Sequence, residues 1–357
     1  MRRVIRASAL CAFVLACDVA FAETGQTLPG LQTAGGGQAA STTVDVGASR
    51  EISILTYNIH GLPWPLTRNP TSAFREIGRE LGQMRREGRA PDIVLIQEGF
   101  SDISELVQLS GYAYWARGPE KAQRPPDEAK SGFARTRYLV KGEGWGKLTG
   151  SGLHVLSDLP ITSVRTESYR YCAGWDCLAN KGVMAVHVEV EGLSRGLDVV
   201  NTHMNSREAA KVPWSRSRKA HNLQMTALLR FVARTRTPGA ALLVGGDLNA
   251  RDDPGRYYYQ AEQRPFTVVA EECKHRIDSC GAPEVHKPAE PWLSTEDLQA
   301  YSSGAQVTVA PMRVALMFNG TANGSRLSDH DGYQVRYLLR PAGLVRSAVL
   351  SLATIAP

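Results

Sequence analysis

Residues 241–250 read ALLVGGDLNA, a short apolar run that ends in two glycines and then presents Asp247 and Asn249. An apolar run of this length, bounded by turn residues, is typical of a strand that is buried on both faces. The polar pair at its end either stops the strand and starts a turn, or lines the rim of an active site. The two interpretations can be separated only by comparing the ends of the other strands.

Six further runs of strand length follow the same pattern, and most contain Val or Ile and stop at glycine or polar residues. They are ISILTYNI (52–59), DIVLIQE (92–98), SGLHVLS (151–157), KGVMAVHVEV (181–190), LDVVNTHM (197–204) and GYQVRYLL (332–339). Helical patterns lie between them at 73–88, where Thr71 or Ser72 is the expected cap, and at 217–236. Strands mixed with helices predict an α/β layered sandwich in a single domain.

Two long segments, 112–150 and 251–310, are expected to be excursions from this core. Loops of that length either shape access to a substrate or are inert surface insertions.

The N-terminus has the pattern of a secretory signal peptide. Arg2, Arg3 and Arg6 precede an apolar stretch that ends in small residues, which predicts a signal peptide over 1–22 with cleavage after Ala22. A lipoprotein with Cys17 as the lipidated residue is the alternative. A flexible leader is expected over 23–49, a domain over 50–340 and a tail over 341–357. No later run is long and apolar enough to cross a membrane. Because of the signal peptide, the chain is expected to be secreted or periplasmic.

The charge balance of the mature chain is mild. The chain has 41 basic and 35 acidic residues, and removal of three arginines and Asp18 with the signal peptide leaves 38 and 34, a net charge of +4. That balance is compatible with an anionic substrate, but it lacks the concentrated basic stripe of a dedicated nucleic-acid binder.

Four cysteines remain in the mature chain, in the close pairs Cys172/Cys177 and Cys273/Cys280. An even count in an exported chain suggests disulfides, and local pairing is the simplest of the three possible connectivities. A zinc site is the competing interpretation, although neither spacing is the usual CxxC.

Five strand ends present polar side chains that suit one chemistry. They carry Asn58, Glu98, His203 with Asn205, Asp247 with Asn249, and Asp329 with His330. Each has a structural explanation when taken alone, but the carboxylate and amide oxygens together are the hard ligands that magnesium or calcium prefers. The two histidines can then serve as base and acid. Hydrolysis of a phosphate ester needs such a combination, because charge must be neutralised while water is positioned.

The motifs TYNIHG, IQE, NTHMN, GGDLN and SDH, in this order, resemble the endonuclease/exonuclease/phosphatase superfamily. This superfamily includes pancreatic-type deoxyribonuclease, bacterial sphingomyelinase and inositol polyphosphate phosphatases. The resemblance extends from about Ile52 to Leu339. It implies a four-layer αββα sandwich of two mixed β-sheets flanked by helices, with the active site at one rim.

The resemblance also implies a metal site. Asn58 and Glu98 would hold Mg²⁺, for which Mn²⁺ or Ca²⁺ could substitute, and Asp329 would lie nearby or bind the ion.

Catalytic roles carry over to four residues. His330 would activate water, and His203 would bind the phosphate or protonate the leaving oxygen. Asp247 would orient water or a catalytic histidine, and Asn249 would hold the phosphate and stabilise its charge.

One departure from the family pattern concerns the acid that orients the catalytic histidine. The segment MRVALMF (312–318) has Ala315 where relatives have an aspartate, and the HRID segment at 275–278 lies far upstream of His330. Either Asp247 takes over the orienting role or the enzyme is slower.

The segment CLANKGVMAVHVEV (177–190) is similar to the Asn-Lys-Gly segment of sphingomyelinases. That similarity implies that Lys181 contacts a phosphate, and Asn205 is a second expected substrate contact. The alternative is that Gly182 makes a turn and that Lys181 is solvated.

Aromatic residues on loops are candidates for contact with a lipid surface, or for packing beneath those loops. They are the three tyrosines at 257–259, Trp64, Trp115, Trp145 and Trp175.

A basic cluster after His203 keeps a nuclease open, since neutralisation of the phosphate backbone dominates nucleic-acid binding. It comprises Arg207, Lys211, Arg216, Arg218 and Lys219, and it is alternatively the solvated face of the following helix.

These observations predict a secreted, magnesium-dependent phosphodiesterase of the sphingomyelinase type. The alternatives are an extracellular endonuclease and a catalytically inactive family member that acts as a binding module. The expected partner is a phosphoester, either a phospholipid head group or a nucleic acid, with peripheral membrane contact possible. A monomer is expected.

Overall fold

The apolar runs of the sequence form the central strands of two β-sheets in a computed structural model. The structure describes residues 49–62, 70–126, 132–275, 280, 290–320 and 326–342. The strands are β1 (Arg50–Asn58), β2 (Ile93–Gln97), β3 (Tyr114–Arg117), β4 (His154–Ser157), β5 (Ile161–Ser168), β6 (Gly182–Val188), β7 (Leu197–His203), β8 (Ala241–Asp247), β9 (Thr267–Val268), β10 (Asp297–Ser302), β11 (Val307–Met317) and β12 (Gly332–Pro341). The helices are α1 (Pro70–Arg86), α2 (Ser104–Ser110), α3 (Trp214–Thr235), α4 (Pro254–Tyr257) and α5 (Val269–His275).

The two sheets have six strands each and are both mixed. The first sheet has the order β11-β12-β1-β2-β4-β3, and the second has the order β5-β6-β7-β8-β10-β9. In each sheet one central pair is parallel, β1 with β2 and β7 with β8. The carboxyl ends of each parallel pair therefore lie at one edge of the sheet.

Alternation along the central strands builds four layers. On β1, Ile52 and Ile54 belong to the cluster between the sheets, whereas Leu55 and Tyr57 belong to the cluster beneath α1 and α2. On the second sheet, Val200 and Val244 pack with Leu228 and Phe231 of α3, on the face turned away from the first sheet. Side chains on both faces of both sheets are buried, which explains the nearly continuous apolar runs. The predicted four-layer αββα sandwich is confirmed.

One predicted excursion is wrong in an important part. The segment 251–310 contains β10, which pairs with β8 and β9 inside the second sheet. This strand reads DLQAYS and lacks an apolar run because Gln299 faces the space between the sheets, where it donates to Ile54 O and Tyr333 O. The other predicted excursion, 112–150, contains the short edge strand β3.

The local pairing of the cysteines is confirmed, since Cys172 bonds Cys177 and Cys273 bonds Cys280. The zinc alternative is thereby wrong. Helix α1 begins at Pro70, earlier than the expected cap at Thr71 or Ser72, because the fixed φ of proline suits a first helical turn.

Several expectations lie outside the described residues. These are the signal peptide, nearly all of the leader, nearly all of the tail, Trp64 and most of the HRID segment. Of the described helices, none combines the length and the apolar character that a transmembrane span requires.

Candidate active site

Strand ends from both sheets meet at one edge of the sandwich. In the second sheet, Asp247 lies opposite His203 on β7 and opposite Asp297 on β10. Asn58 ends β1 in the first sheet, and its Nδ2 donates to Asp247 Oδ2 at 3.0 Å. This bond joins the two sheets at the rim, so the residues predicted from separate segments form one site.

The first histidine–carboxylate pair is His203 with Asp247. Nε2 of His203 lies 3.3 Å from Asp247 Oδ2, and both side chains are almost fully buried. The other carboxylate oxygen of Asp247 accepts bonds from the backbone N and Nδ2 of Asn249, each at 2.9 Å. Burial opposes ionisation of Asp247, but the His203 charge and hydrogen bond outweigh it and hold the pKa of this carboxyl well below its usual range. Asp247 is therefore a carboxylate at neutral pH.

The second pair is His330 with Asp297. Nδ1 of His330 lies 2.6 Å from Asp297 Oδ2, and its Nε2 lies 3.7 Å from Glu296 Oε2. Burial lowers the pKa of His330, but the charges of Asp297, Asp247 and Asp329 and the Asp297 bond outweigh it and raise the pKa to about 10. Burial raises the pKa of Asp297 to about 6, against the opposing effect of His330.

Of the two expectations about the orienting acid, the one in which Asp247 orients His330 does not match the contacts, whereas the slower enzyme stays a prediction. Ala315 lies on β11 of the first sheet, opposite Gln334. Asp247 contacts His203, while Asp297 orients His330. Asp297 was not predicted from the sequence, because β10 lies in a segment that was expected to be an excursion. The acidic pair just before the alternating Leu298 and Ala300 is the signal that would have found it.

A candidate metal site adjoins these pairs. Glu98 follows β2 with a φ of 57°, and ligand atoms of Glu98, His203 and Asp247 all lie within 4.8 Å of one another. The Oε2 atom of Glu98 is buried and accepts no hydrogen bond from any described residue. A buried carboxylate oxygen that accepts no hydrogen bond is costly without a cation, so Glu98 fits the role of a metal ligand.

The other two predicted metal ligands lie beside Glu98 but differ in their partners. Oδ1 of Asn58 accepts the backbone N–H of His60 at 3.0 Å. Asp329 is partly exposed and pairs with Nδ1 of His60 at 3.1 Å, while the same nitrogen lies 3.9 Å from Glu98 Oε2. His60 is thus a further site residue, and it lies within the TYNIHG motif that pointed to Asn58.

The two predicted substrate contacts are engaged within the protein. Lys181 is 6% exposed and pairs with Asp176 at 2.9 Å, so the expectation that it is solvated is wrong. Its Nζ also donates to Met204 O, next to His203. Asn205 is fully buried, and its side chain bonds the backbone of Ala173 and Ser206. Both side chains therefore stabilise the backbone at the rim.

A buried arginine supports the same rim from below. Arg256 is fully buried, and its Nη1 donates to the carbonyl oxygens of Asn205 and Asn249 at 2.8 Å each. Its charge is balanced by Asp253, 3.2 Å from Nε. These contacts fix the backbone that carries Asn249.

Some residues of the predicted basic cluster form ion pairs within the protein. Arg216 lies against the buried carboxylate of Glu143, and Nη1 of Arg218 lies 4.0 Å from Asp253. The guanidinium of Arg207 lies over the Trp214 ring.

Sequence comparison places these motifs in a known family. The profile of the Endonuclease/Exonuclease/phosphatase family matches residues 55–330. The chain is 26% identical over 247 residues to a sphingomyelinase of Mycobacterium tuberculosis, a match that covers 66% of this chain and 43% of the relative. The chain therefore spans less than half the length of this curated relative.

Solved structures with the same fold include two with informative ligands. A mutant beta toxin of Staphylococcus aureus with bound magnesium ions has a TM-score of 0.54 and 17% identity, covering 80% of this chain and 99% of the toxin. The TDP2 of D. rerio, complexed with single strand DNA product, has a TM-score of 0.53 and 16% identity, covering 80% of this chain and 98% of TDP2. At these identities the likeness shows the fold.

Proposed function

The chain belongs to the endonuclease/exonuclease/phosphatase family, and from this premise we propose that it is an exported, magnesium-dependent phosphodiesterase that hydrolyses sphingomyelin or a similar phospholipid. The observation that carries the proposal is the pair of histidine–carboxylate couples that meet at Asp247 and Asp297, beside a Glu98 oxygen that accepts no hydrogen bond.

The two couples suit acid–base catalysis of phosphoester cleavage. In its neutral form, a minor fraction at pH 7 because the pKa of His330 is raised to about 10, His330 would take a proton from the attacking water, and Asp297 would stabilise the imidazolium that forms. The bond from phosphorus to the leaving oxygen then breaks, and His203 would donate a proton to that oxygen. Asp247 holds His203 in position for this step.

Asn58 and Glu98 would hold the magnesium ion, and Asp329 would lie nearby or bind it, while His60 contacts both Glu98 and Asp329. When bound, the ion supplies positive charge that polarises the phosphoryl oxygen and opposes protonation of His330. Asn249 would contact the phosphate by giving up its longer bond, which runs 3.2 Å from Nδ2 to Met204 O. Lys181 and Asn205 would position the rim instead of touching the substrate.

Two observations support a lipid as the substrate. They are the similarity to sphingomyelinases and the small amount of free positive charge at the rim. A nuclease is the second candidate, because TDP2 with a DNA product shares the fold. The ion pairs of Arg216 and Arg218 leave less free positive charge for a nucleic-acid backbone. The contact of Asp297 with His330 argues against an inactive binding module, for which Ala315 had been weak support.

Export is supported by the two disulfides, because such bonds persist in oxidising compartments. A cleaved signal peptide remains a prediction, to be checked by N-terminal sequencing of the secreted protein.

Incubation of the purified protein with sphingomyelin vesicles, plasmid DNA and inositol phosphates tests the proposal. We expect hydrolysis of sphingomyelin that EDTA abolishes and that Mg²⁺ restores. Cleavage of DNA alone would replace the lipid substrate by nucleic acid, and no hydrolysis of any phosphoester would overturn the enzymatic proposal.

A further inference from the structure

The loop at residues 138–148 carries the most exposed apolar side chains of the part of the chain that the structure describes. Val140 is 78% exposed, Leu148 64%, Trp145 60% and Leu139 58%, whereas no other large hydrophobic in the described ranges exceeds 48%. Clustered exposure of this kind marks an interaction surface, unlike the scattered apolar residues of ordinary surfaces.

The 138–148 loop is folded with its acidic residue inside and its apolar residues outside. Glu143 is 3% exposed, and its carboxylate accepts bonds from the backbone N–H groups of Tyr138 and Gly174 and from Arg216. The guanidinium of Arg216 also lies over the Tyr138 ring. The loop is therefore held in place by a buried ion pair, and the outward direction of its apolar residues is built into the fold.

The side chain of Trp145 is exposed, but its position is fixed by contact with a neighbouring ring. Its ring lies edge-on against the ring of Trp175, with the centroids 5.5 Å apart. Gly142 has a φ of 83°, and a Cβ atom there would come within 2.9 Å of Trp175. Glycine at this position lets the loop lie close against Trp175.

The loop lies at the catalytic rim. It belongs to the connection from β3 to β4. This connection leaves β3 at Arg117 and enters β4 at His154, and these two residues pair with each other beside the carboxyl end of β2, close to Glu98. The N–H of Leu148 bonds Leu178 O at 2.6 Å, at the end of the turn that contains Asp176. Asp176 in turn accepts the N–H of Ser206, three residues after His203.

The accessible charge of the loop is positive. Lys141 of the loop is half-exposed and Arg137, the residue before the loop, is exposed, while the single acid of the loop, Glu143, is neutralised by Arg216. Tryptophan and aliphatic side chains beside basic residues suit the boundary between lipid head groups and acyl chains, because the apolar groups insert and the cations meet anionic head groups.

We propose that the 138–148 loop is a docking surface for anionic phospholipid bilayers. Binding through this loop places the proposed catalytic rim against the membrane. Val140, Trp145 and Leu148 insert at the interface, and Arg137 and Lys141 contact the head groups. The inference rests on the proposed function only in that a lipid substrate would lie in the same membrane. Binding itself requires no hydrolysis.

Sedimentation with vesicles tests the surface separately from catalysis. The full chain is mixed, in EDTA, with vesicles of phosphatidylcholine or of phosphatidylcholine with phosphatidylglycerol. We expect binding that favours the anionic vesicles, and a loss of at least about tenfold in partition for the Val140→Ala/Trp145→Ala variant. The matched control, Val164→Ala/Met312→Ala, removes exposed apolar side chains from β5 and β11 and is expected to bind as the wild type does.

Three outcomes would overturn the proposal. These are no sedimentation with either vesicle, equal loss in the control variant, or a dimer in light scattering that becomes monomeric in Val140→Ala/Trp145→Ala, which would assign the surface to a second copy of the chain. Hydrolysis of soluble bis(p-nitrophenyl) phosphate by both variants checks that the fold and the site survive. Vesicle binding by a protein that hydrolyses no phosphoester would preserve this inference while removing the proposed function.

Discussion

Asp297 lies directly opposite Asp247 where β8 and β10 pair, yet the two carboxylates serve different histidines, His330 and His203. Two acids placed side by side would repel each other if both were ionised without partners. The imidazoles relieve this repulsion, and the result is a row in which the two acids lie between the two bases, in the order His203, Asp247, Asp297 and His330.

Asp297→Asn tests the orienting role of this aspartate. The asparagine keeps a hydrogen-bond acceptor but removes the negative charge that stabilises the imidazolium, so we expect kcat to fall by about 10²- to 10⁴-fold. Loss of that charge also lowers the pKa of His330, and the limb of the pH–rate profile that reports His330 should move to lower pH. An unmoved profile would contradict the assignment. Asp198→Asn is the control, because Asp198 makes an equivalent 2.7 Å contact with His187 at the far end of the second sheet.

His203→Ala and His330→Ala are each expected to lower turnover by about 10²- to 10⁴-fold while the fold is retained, because general acid–base groups contribute at that level. Circular dichroism and thermal unfolding check the fold. His187→Ala, outside the site, should leave turnover unchanged. A loss below roughly tenfold in both site variants would defeat the assigned roles.

Glu98→Gln tests the metal site without an assay of activity. Mg²⁺ should raise the unfolding temperature of the wild type, because a ligand at about 100 times its Kd stabilises the folded state by about 2.7 kcal/mol. The glutamine variant should lose this increase. Glu191→Gln, at an exposed pair with Arg50, should keep it. An equal increase in Glu98→Gln would place the ion elsewhere.

Lys181→Met distinguishes a positioning residue from a phosphate contact. Removal of one member of a buried ion pair leaves Asp176 uncompensated and should cost about 3–5 kcal/mol in the free energy of unfolding. The double variant Lys181→Met/Asp176→Leu should recover much of that loss. Denaturant unfolding measures both. A stable single variant with a strongly raised KM would instead show that Lys181 binds the phosphate.

The buried histidine of α3 predicts a stability that depends on pH. Burial lowers the pKa of His221 to about 3, and its Nε2 lies 2.7 Å from Leu248 O. Because the pKa is lower in the folded than in the unfolded state, the stability is fully present above about pH 6.5 and is lost as the pH falls towards 3. In His221→Gln, the decrease of the free energy of unfolding at low pH should be smaller by on the order of 4 kcal/mol. Parallel curves for the two proteins in urea unfolding between pH 7 and pH 4 would refute the prediction.

Much of the site was predictable from the sequence because its signals are local. Asn58, Glu98, His203 and Asp247 each end an apolar run, and a run of buried residues can be recognised without knowledge of its neighbours in space. The family pattern then gave the order of the motifs. The cysteine pairs were predictable for the same reason, since their partners are close along the chain.

The sequence by itself thus determined the layered α/β class, the central strands and most of the polar residues that end them. Only the tertiary structure decided which acid serves which histidine, where Lys181 points and which loop turns its apolar side outward. These properties depend on lateral register and on partners distant in the chain, such as Asp297 for His330 and Arg216 for Glu143. Periodicity along a strand encodes which face is buried, but it does not encode which residue of another strand lies opposite.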